Sequence, residues 1–222
     1  LSRFYDKIDK YYLAFEIVRI VETELPKLLI ATENKGKIVE IETLLEGLPF
    51  QLVTPESLGL HLNVVEDGQT YAENAARKAL AHARASGMLV LADDSGLEVD
   101  ALGGLPGIRS ARFAPQPGAS DADRRRYLLQ QLQGKPRPWK ACFHCTAAVA
   151  TPEGEIEYAA GECLGEIIPE ERGTAGFGYD PVFFLPEYGQ TMAELGLEVK
   201  NQISHRARAI TAARSILARY GG

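Results

Sequence analysis

The sequence predicts an α/β protein built on a mixed, twisted sheet with flanking helices, and three observations predict it. Apolar runs at Lys27–Thr32 and Leu89–Ala92 read as strands buried on both faces, because continuous apolar stretches bounded by turn residues suit the interior of a sheet. Helical periodicity follows the first run and precedes the second, which is the alternation of parallel strands joined by helices. Further on, Trp139–Thr151 and Gly154–Ile168 flank the turn Pro152–Glu153–Gly154 and read as an antiparallel hairpin, so the sheet is expected to be mixed.

At 222 residues the chain makes one large domain or two small lobes around a substantial core. Hydrophobic content of 45% and charged content of 24% match an ordinary soluble globular protein. A net charge of −6 argues against a dedicated nucleic-acid binder, which would present a basic surface, but leaves room for a small anion held by a few local cations. No apolar run approaches the roughly 20 residues that span a bilayer, and no signal-peptide pattern is read. Three cysteines fit a reducing compartment, so a cytoplasmic location away from membranes is the expectation.

Taken in order, residues 1–26 carry Ile8, Tyr12, Phe15, Val18 and Val21 in a partly amphipathic helix, read as an extension ahead of a domain over 27–222. After the first strand, Glu33–Lys37 leads into a helix with Ile38, Ile41, Leu44, Leu45 and Leu48 on its apolar side. Strand, glycine-containing turn and helix together aim backbone N–H groups and a positive dipole end at a phosphate. This is not a P-loop: Ala31 stands where that motif's first glycine belongs, and Ile38 follows Lys37 in place of Ser or Thr. Gln51–Val53 reads as a short strand. Thr70 and Glu73 make a capping box for a helix whose Ala72, Ala75, Ala76, Ala79 and Ala83 form a close-packing face, with Gly87 as its stop. Ser120 and Asp123 cap a helix through Leu132, and its Arg124, Arg125 and Arg126 point around the cylinder and are expected to be mostly solvated. Val182–Leu185 reads as a strand. A last helix opens within Lys200–Arg206, capped by Ser204, with Ile210, Ala213, Leu217 and Tyr220 on one face.

The chemistry gathers at a few places. Asp93, Asp94, Ser95 and Gly96 stand at the end of the second apolar strand, where open α/β sheets place their ligands. Alternation along an extended chain sends Asp93 and Asp94 in different directions. The same four residues are also good turn formers. In Gly173–Pro186, Pro181 occupies the third glycine position of a dinucleotide fingerprint and excludes it, while Phe177, Tyr179 and Asp180 offer an aromatic face and an acceptor to a planar heterocycle. Those aromatics could equally enter the core. Lys200, His205 and Arg206 cluster at a helix start, where each cation costs about 0.3–1 kcal/mol unless an anion answers it. Cys142 and Cys145 form a CxxC, but odd spacing on a strand puts the thiols on opposite faces, so no redox or zinc role is expected of the pair. Phosphate-seeking Lys37, Lys200 and Arg206, magnesium-suited Glu66, Asp93 and Asp94, and an aromatic loop together describe a nucleoside triphosphate site.

Five segments carry a family resemblance: ATENKGK (31–37), EDGQTYAENAARKA (66–79), ADDSGLEVDALGGLPGIRSARFA (92–114), GFGYDPVFF (176–184) and ISHRARA (203–209). In this order the chain resembles the inosine triphosphate pyrophosphatase family over about residues 27–220. The resemblance implies an elongated, two-lobed single domain with a central cleft, usually a homodimer. It also implies Mg2+-dependent hydrolysis of ITP, dITP and XTP to the monophosphate and pyrophosphate. By resemblance, Thr32, Glu33, Asn34, Lys35, Gly36 and Lys37 hold the triphosphate, with the Glu33 side chain turned away from it. Asp94 is the proton acceptor and a metal ligand, with Glu66 and Asp93 as further metal ligands. Ser95, Phe177, Gly178, Tyr179, Asp180, Lys200, His205 and Arg206 bind substrate. A donor from His205 or Arg206 facing the 6-position would accept hypoxanthine and xanthine and reject adenine. Two other readings share these residues: a nucleotide-binding module without turnover, and a pyrophosphatase for modified pyrimidine nucleotides.

Overall fold

The computed structural model describes residues 25–221, so the helix expected over 1–26 lies outside the described residues except for its last two positions. β1 (Lys27–Ile30) is flanked in parallel by β2 (Gln51–Val53) and by the start of β3 (Leu89–Val99). Helix α1 (Lys35–Leu44) connects β1 to β2, and α2 (Tyr71–Ser86) leads into β3. Then come β4 (Pro106–Gly107), α3 (Asp121–Leu132), the hairpin β5 (Trp139–Ala150) and β6 (Ile156–Ile167), β7 (Phe183–Leu185), β8 (Gln190–Thr191), α4 (Leu197–Ile203) and α5 (His205–Leu217). The sheet runs β2-β1-β3-β5-β6-β7-β8, with β4 on the flank of β3, and every pairing outside β1 is antiparallel. The mixed α/β architecture is as expected. Among the described residues no helix is long and apolar enough to cross a membrane.

Three apolar cores explain the layering. On one face Ile41 of α1 and Leu45 just after it, with Ile210, Ala213 and Leu217 of α5, bury Leu28, Ile30, Leu91 and Val149 of the sheet. On the other, Ala75, Ala79 and Ala83 of α2 lie directly on Leu29, Val90, Ala92 and Ala148, the close approach that a methyl-sized face permits. Beyond Gly96, a separate core joins Leu97, Leu128, Leu132, Trp139, Phe143 and Phe183 beneath α3. These cores make two lobes that share β3 and β5. Gly161 of β6 lies tight under α5: a Cβ there would strike the His205 carbonyl oxygen and the Ala209 backbone nitrogen. Gly161→Ala is therefore expected to destabilise by about 1–3 kcal/mol and lower the melting temperature by several degrees. An unchanged thermal melt would show instead that α5 can ride outward freely.

Several local expectations are corrected. Asp93–Gly96 is not a turn, because β5 pairs with β3 continuously from Val90 to Val99 and this tertiary ladder overrides turn propensity. On its other flank β3 is paired by β1 only up to Leu91 and by β4 only from Leu97, so residues 93–96 face an opening in the sheet. Thr70 caps α2 as expected, but the Glu73 carboxylate accepts from the Gln69 N–H rather than from Thr70, so the reciprocal half of the box is displaced by one residue. The full box belongs to α3, between Ser120 and Asp123. The last helix is two helices. Ser204 ends α4 by donating its N–H to the Lys200 carbonyl, then caps α5 by accepting from the Ala207 N–H, so Lys200 sits in the last turn of α4. The arginines of α3 differ from one another: Arg126 is 64% exposed in its side chain, but Arg125 only 13%, because Arg125 reaches back to the aromatic loop.

Candidate active site

The opening beside residues 93–96 is a cavity of about 280 Å³ lying where the two lobes meet. Opposite pleats of β3 serve it differently. Asp93 points among cations: its Oδ2 accepts from Lys37 Nζ at 2.9 Å, from Arg206 Nε at 3.2 Å and from Ser95 Oγ at 2.7 Å. Burial alone would push this carboxyl up, but Lys37 and Arg206 outweigh it and hold Asp93 well below the usual 3.8. Asp94 points the other way, toward α2. Its Oδ2 accepts from Asn74 Nδ2 at 3.0 Å, and its Oδ1 lies 3.9 Å from Lys78 Nζ, which is also 3.4 Å from Glu66 Oε2. Burial raises the Asp94 carboxyl above 3.8 despite Lys78 and Asn74.

Around Asp93 a buried charge network closes between α1, α4 and α5. Arg206 Nη1 donates to Glu40 Oε2 at 2.5 Å, and Lys200 Nζ donates to Glu40 Oε1 at 2.7 Å and to Asp180 Oδ2 at 2.6 Å. The Arg206 guanidinium also reaches Ser95 Oγ at 3.2 Å, so each of its nitrogens is engaged. The cost of a cation in the first turn of α5 is thus met by Asp93 and Glu40. His205, the residue before it, is buried, and burial beside Arg206 and Lys200 holds its imidazole well below 6.5. It stacks on Phe143 with centroids 4.6 Å apart, lines the cavity and leaves Nδ1 without a partner.

The first motif lines the cavity through Thr32, Asn34 and Lys37. Asn34 caps α1 by accepting from the Lys37 N–H at 3.1 Å. Glu33 and Lys35 are exposed and stand outside the cavity lining. Gly36 lies under the Phe177 ring, where a Cβ would come 2.5 Å from Cδ1. That ring also faces Lys200 Nζ at 4.9 Å and the Arg206 guanidinium at 5.4 Å from its centroid. The aromatic loop is held from below. Asp180 Oδ2 accepts from the Phe177 N–H at 2.9 Å, while Gly178 donates to Asp121 Oδ2 and accepts from Arg125 Nη1, both at 2.8 Å. Phe177 is open to the cavity, whereas Tyr179 also enters the core and donates its hydroxyl to the Ser110 carbonyl at 2.9 Å.

The structure therefore brings Asp94, Lys37, Arg206 and Phe177 to one cleft from four distant parts of the chain. It does not gather Glu66, Asp93 and Asp94 into one compact ligand group, because alternation along β3 sends Asp93 to the cations and leaves Glu66 and Asp94 facing Lys78. Three residues that matter to this geometry were not singled out in the sequence, Glu40, Asn74 and Lys78, and a fourth, Arg125, was expected in solvent but binds the Gly178 carbonyl. Glu40 lies one helical turn after Lys37, and Asn74 and Lys78 are four apart beside the alanine face; polar residues at such spacing on a buried helix side were the available signal.

A model described as the Ham1 family matches residues 28–216. The chain belongs to the Ham1 family. A Desulforamulus reducens relative named dITP/XTP pyrophosphatase is 50% identical over 194 residues, which cover 87% of this chain and 96% of that one. The Ham1 protein of Staphylococcus aureus has a similar solved structure, with a TM-score of 0.77 at 38% identity over 87% of this chain and 99% of that one. A Coxiella burnetii HAM1 structure gives a TM-score of 0.80 at 35% identity, covering 88% and 100%. Membership bears out the resemblance carried by the five motifs. The solved relatives share the mixed α/β fold over most of this chain.

Proposed function

We propose that this protein hydrolyses non-standard purine nucleoside triphosphates, ITP, dITP and XTP, to the nucleoside monophosphate and pyrophosphate. One observation carries the reading: a carboxylate raised by burial, Asp94, faces the same cavity as Lys37, His205 and the Phe177 ring. The residue roles follow. Lys37, with the capped start of α1, holds phosphate oxygens. Arg206 and Lys200, their charge balanced by Asp93, Glu40 and Asp180, line the cavity behind them and help stabilise charge on the departing pyrophosphate. Asp94 accepts the proton of the attacking water, a task suited to a carboxyl that burial raises above its ordinary value. Phe177 stacks on the base, and neutral His205 presents a donor to a 6-keto oxygen, which a 6-amino group cannot answer.

The donor set fits Mg2+. Glu66 and Asp94 are hard oxygen ligands that both face Lys78, and magnesium favours a few carboxylates plus phosphate oxygens. Bound there, the ion would neutralise phosphate charge. Asp93, committed to Lys37 and Arg206, acts as the holder of those cations. We take residues 27–222 as the catalytic unit and 1–26 as an extension. Assembly as a homodimer and a cytoplasmic location belong to the same reading; light scattering tests the first.

The function is tested by a nucleotide panel with and without Mg2+, scored for pyrophosphate. ITP and XTP should release pyrophosphate in the presence of Mg2+, with ATP slower by about 10²-fold or more. Orthophosphate as sole product, ITP binding without product, or preference for a modified pyrimidine would each overturn the reading.

A further inference from the structure

A second group of ligand-bearing side chains lies on β5 and β6, outside the lining of the cavity. Alternation separates Cys142 from Cys145, but it also puts Cys142 and His144 on one face of β5. There Glu162 of β6 is the partner of His144 across one ladder and Glu98 of β3 the partner of Cys142 across the other. One metal-ligating atom from each of Cys142, His144 and Glu162 lies within 4.8 Å of the others. His144 Nδ1 is 3.3 Å from Glu162 Oε1, and Nε2 is 3.4 Å from Glu98 Oε2. Glu98 is itself oriented by the Tyr71 hydroxyl, which donates to its Oε1 at 3.1 Å, and the Tyr71 ring stacks on His144 with centroids 5.8 Å apart. An imidazole backed by a carboxylate at one nitrogen and presenting the other to a thiol and a second carboxylate is the arrangement that orients metal-bound histidines. Cys142 and His144 are half-buried and Glu162 is exposed, so an ion can enter from solvent.

We propose that Cys142 Sγ, His144 Nδ1 and the Glu162 carboxylate bind a thiophilic divalent cation of the zinc class, with water in the fourth position and Glu98 holding the imidazole from behind. One sulfur, one nitrogen and one oxygen donor suit Zn2+, whereas Mg2+ avoids thiols. Burial and the Glu162 carboxylate push the free Cys142 thiol up to about 11. The ion therefore displaces the Sγ proton, which leaves to solvent as the Zn–S bond forms. Arg208, the nearby cation, donates to the Glu162 backbone carbonyl rather than to its carboxylate. The bound ion would staple β5 to β6 in the second lobe. The proposal is independent of the hydrolytic reading.

Cobalt titration of the full chain, with Mg2+ in excess to occupy oxygen-only sites, tests it. A thiolate-to-cobalt charge-transfer band should saturate at one equivalent and be bleached by Zn2+. Cys142→Ser should abolish the band and Cys145→Ser should leave it. His144→Gln should weaken binding by at least tenfold, and Glu98→Gln by about 10-fold or more through the imidazole alone. Circular dichroism of Cys142→Ser should match the parent. No band in the parent, a band surviving Cys142→Ser, or one lost in Cys145→Ser would each refute the site.

Discussion

Asp94→Asn is expected to lose about 10²–10⁴ of kcat on ITP, the range that a positioned proton acceptor supplies, and to gain thermal stability at neutral pH. The amide keeps the size of the side chain and can still meet Asn74 by a flip, so the fold is retained. What disappears is the ionised carboxylate that accepts the proton of water. The stability gain follows from the direction of the shift. Burial raises the folded Asp94 carboxyl above 3.8, so the folded state disfavours the charged form relative to the unfolded chain. Its contribution is fully present below 3.8 and is lost as pH rises through the folded value. Parent and variant should therefore melt alike in acid and separate above it, with Asp94→Asn the more stable. The acid limb of the parent's activity profile should track the same titration. Steady-state kinetics and melts at pH 3 and pH 7 read both effects; retained turnover would remove Asp94 from the chemistry.

That opposition between neighbours was partly legible in the sequence. Alternation alone separates Asp93 from Asp94, and the strand-turn-helix at 27–48 predicts a phosphate-facing helix start. The layering was legible in part: the alanines of α2 imply close packing against a sheet or another helix, and the fold puts them on the sheet. What local pattern could not supply is which distant groups meet each acid. Asp93 finds Arg206 across 113 residues, and Arg206 finds Glu40 across 166; nothing in the neighbourhood of any of them encodes that meeting. The same limit explains Asp93–Gly96. Four good turn formers lie in mid-strand because β5, some fifty residues later, pairs with them. Arg125 looked like one solvated cation of three until the loop at Gly178 gave it a carbonyl to bind.

Asp93→Asn should have the opposite signature to its neighbour and the largest effect on stability. The Asp93 side chain is wholly buried and its Oδ2 is shared by Lys37, Arg206 and Ser95. Asparagine removes the charge and leaves Lys37 and Arg206 close together, with Glu40, already shared with Lys200, answering Arg206 but not Lys37. Breaking a buried pair in this way costs about 3–5 kcal/mol, because an uncompensated charge stays behind. Here the folded carboxyl lies well below 3.8, so its stabilisation is fully present above 3.8 and is lost as pH falls through the folded value. Denaturant melts should show Asp93→Asn far less stable than the parent at pH 7, with the gap narrowing as the medium is taken below 3.8. In kinetics the variant should raise KM for ITP more than it lowers kcat, since Lys37 and Arg206 lose their holder while Asp94 keeps its partners. A stability gap that stayed constant from pH 7 into acid would mean that packing, not charge, is what Asp93 contributes. A fall in kcat with KM unchanged would instead place Asp93 in the reacting shell beside Asp94.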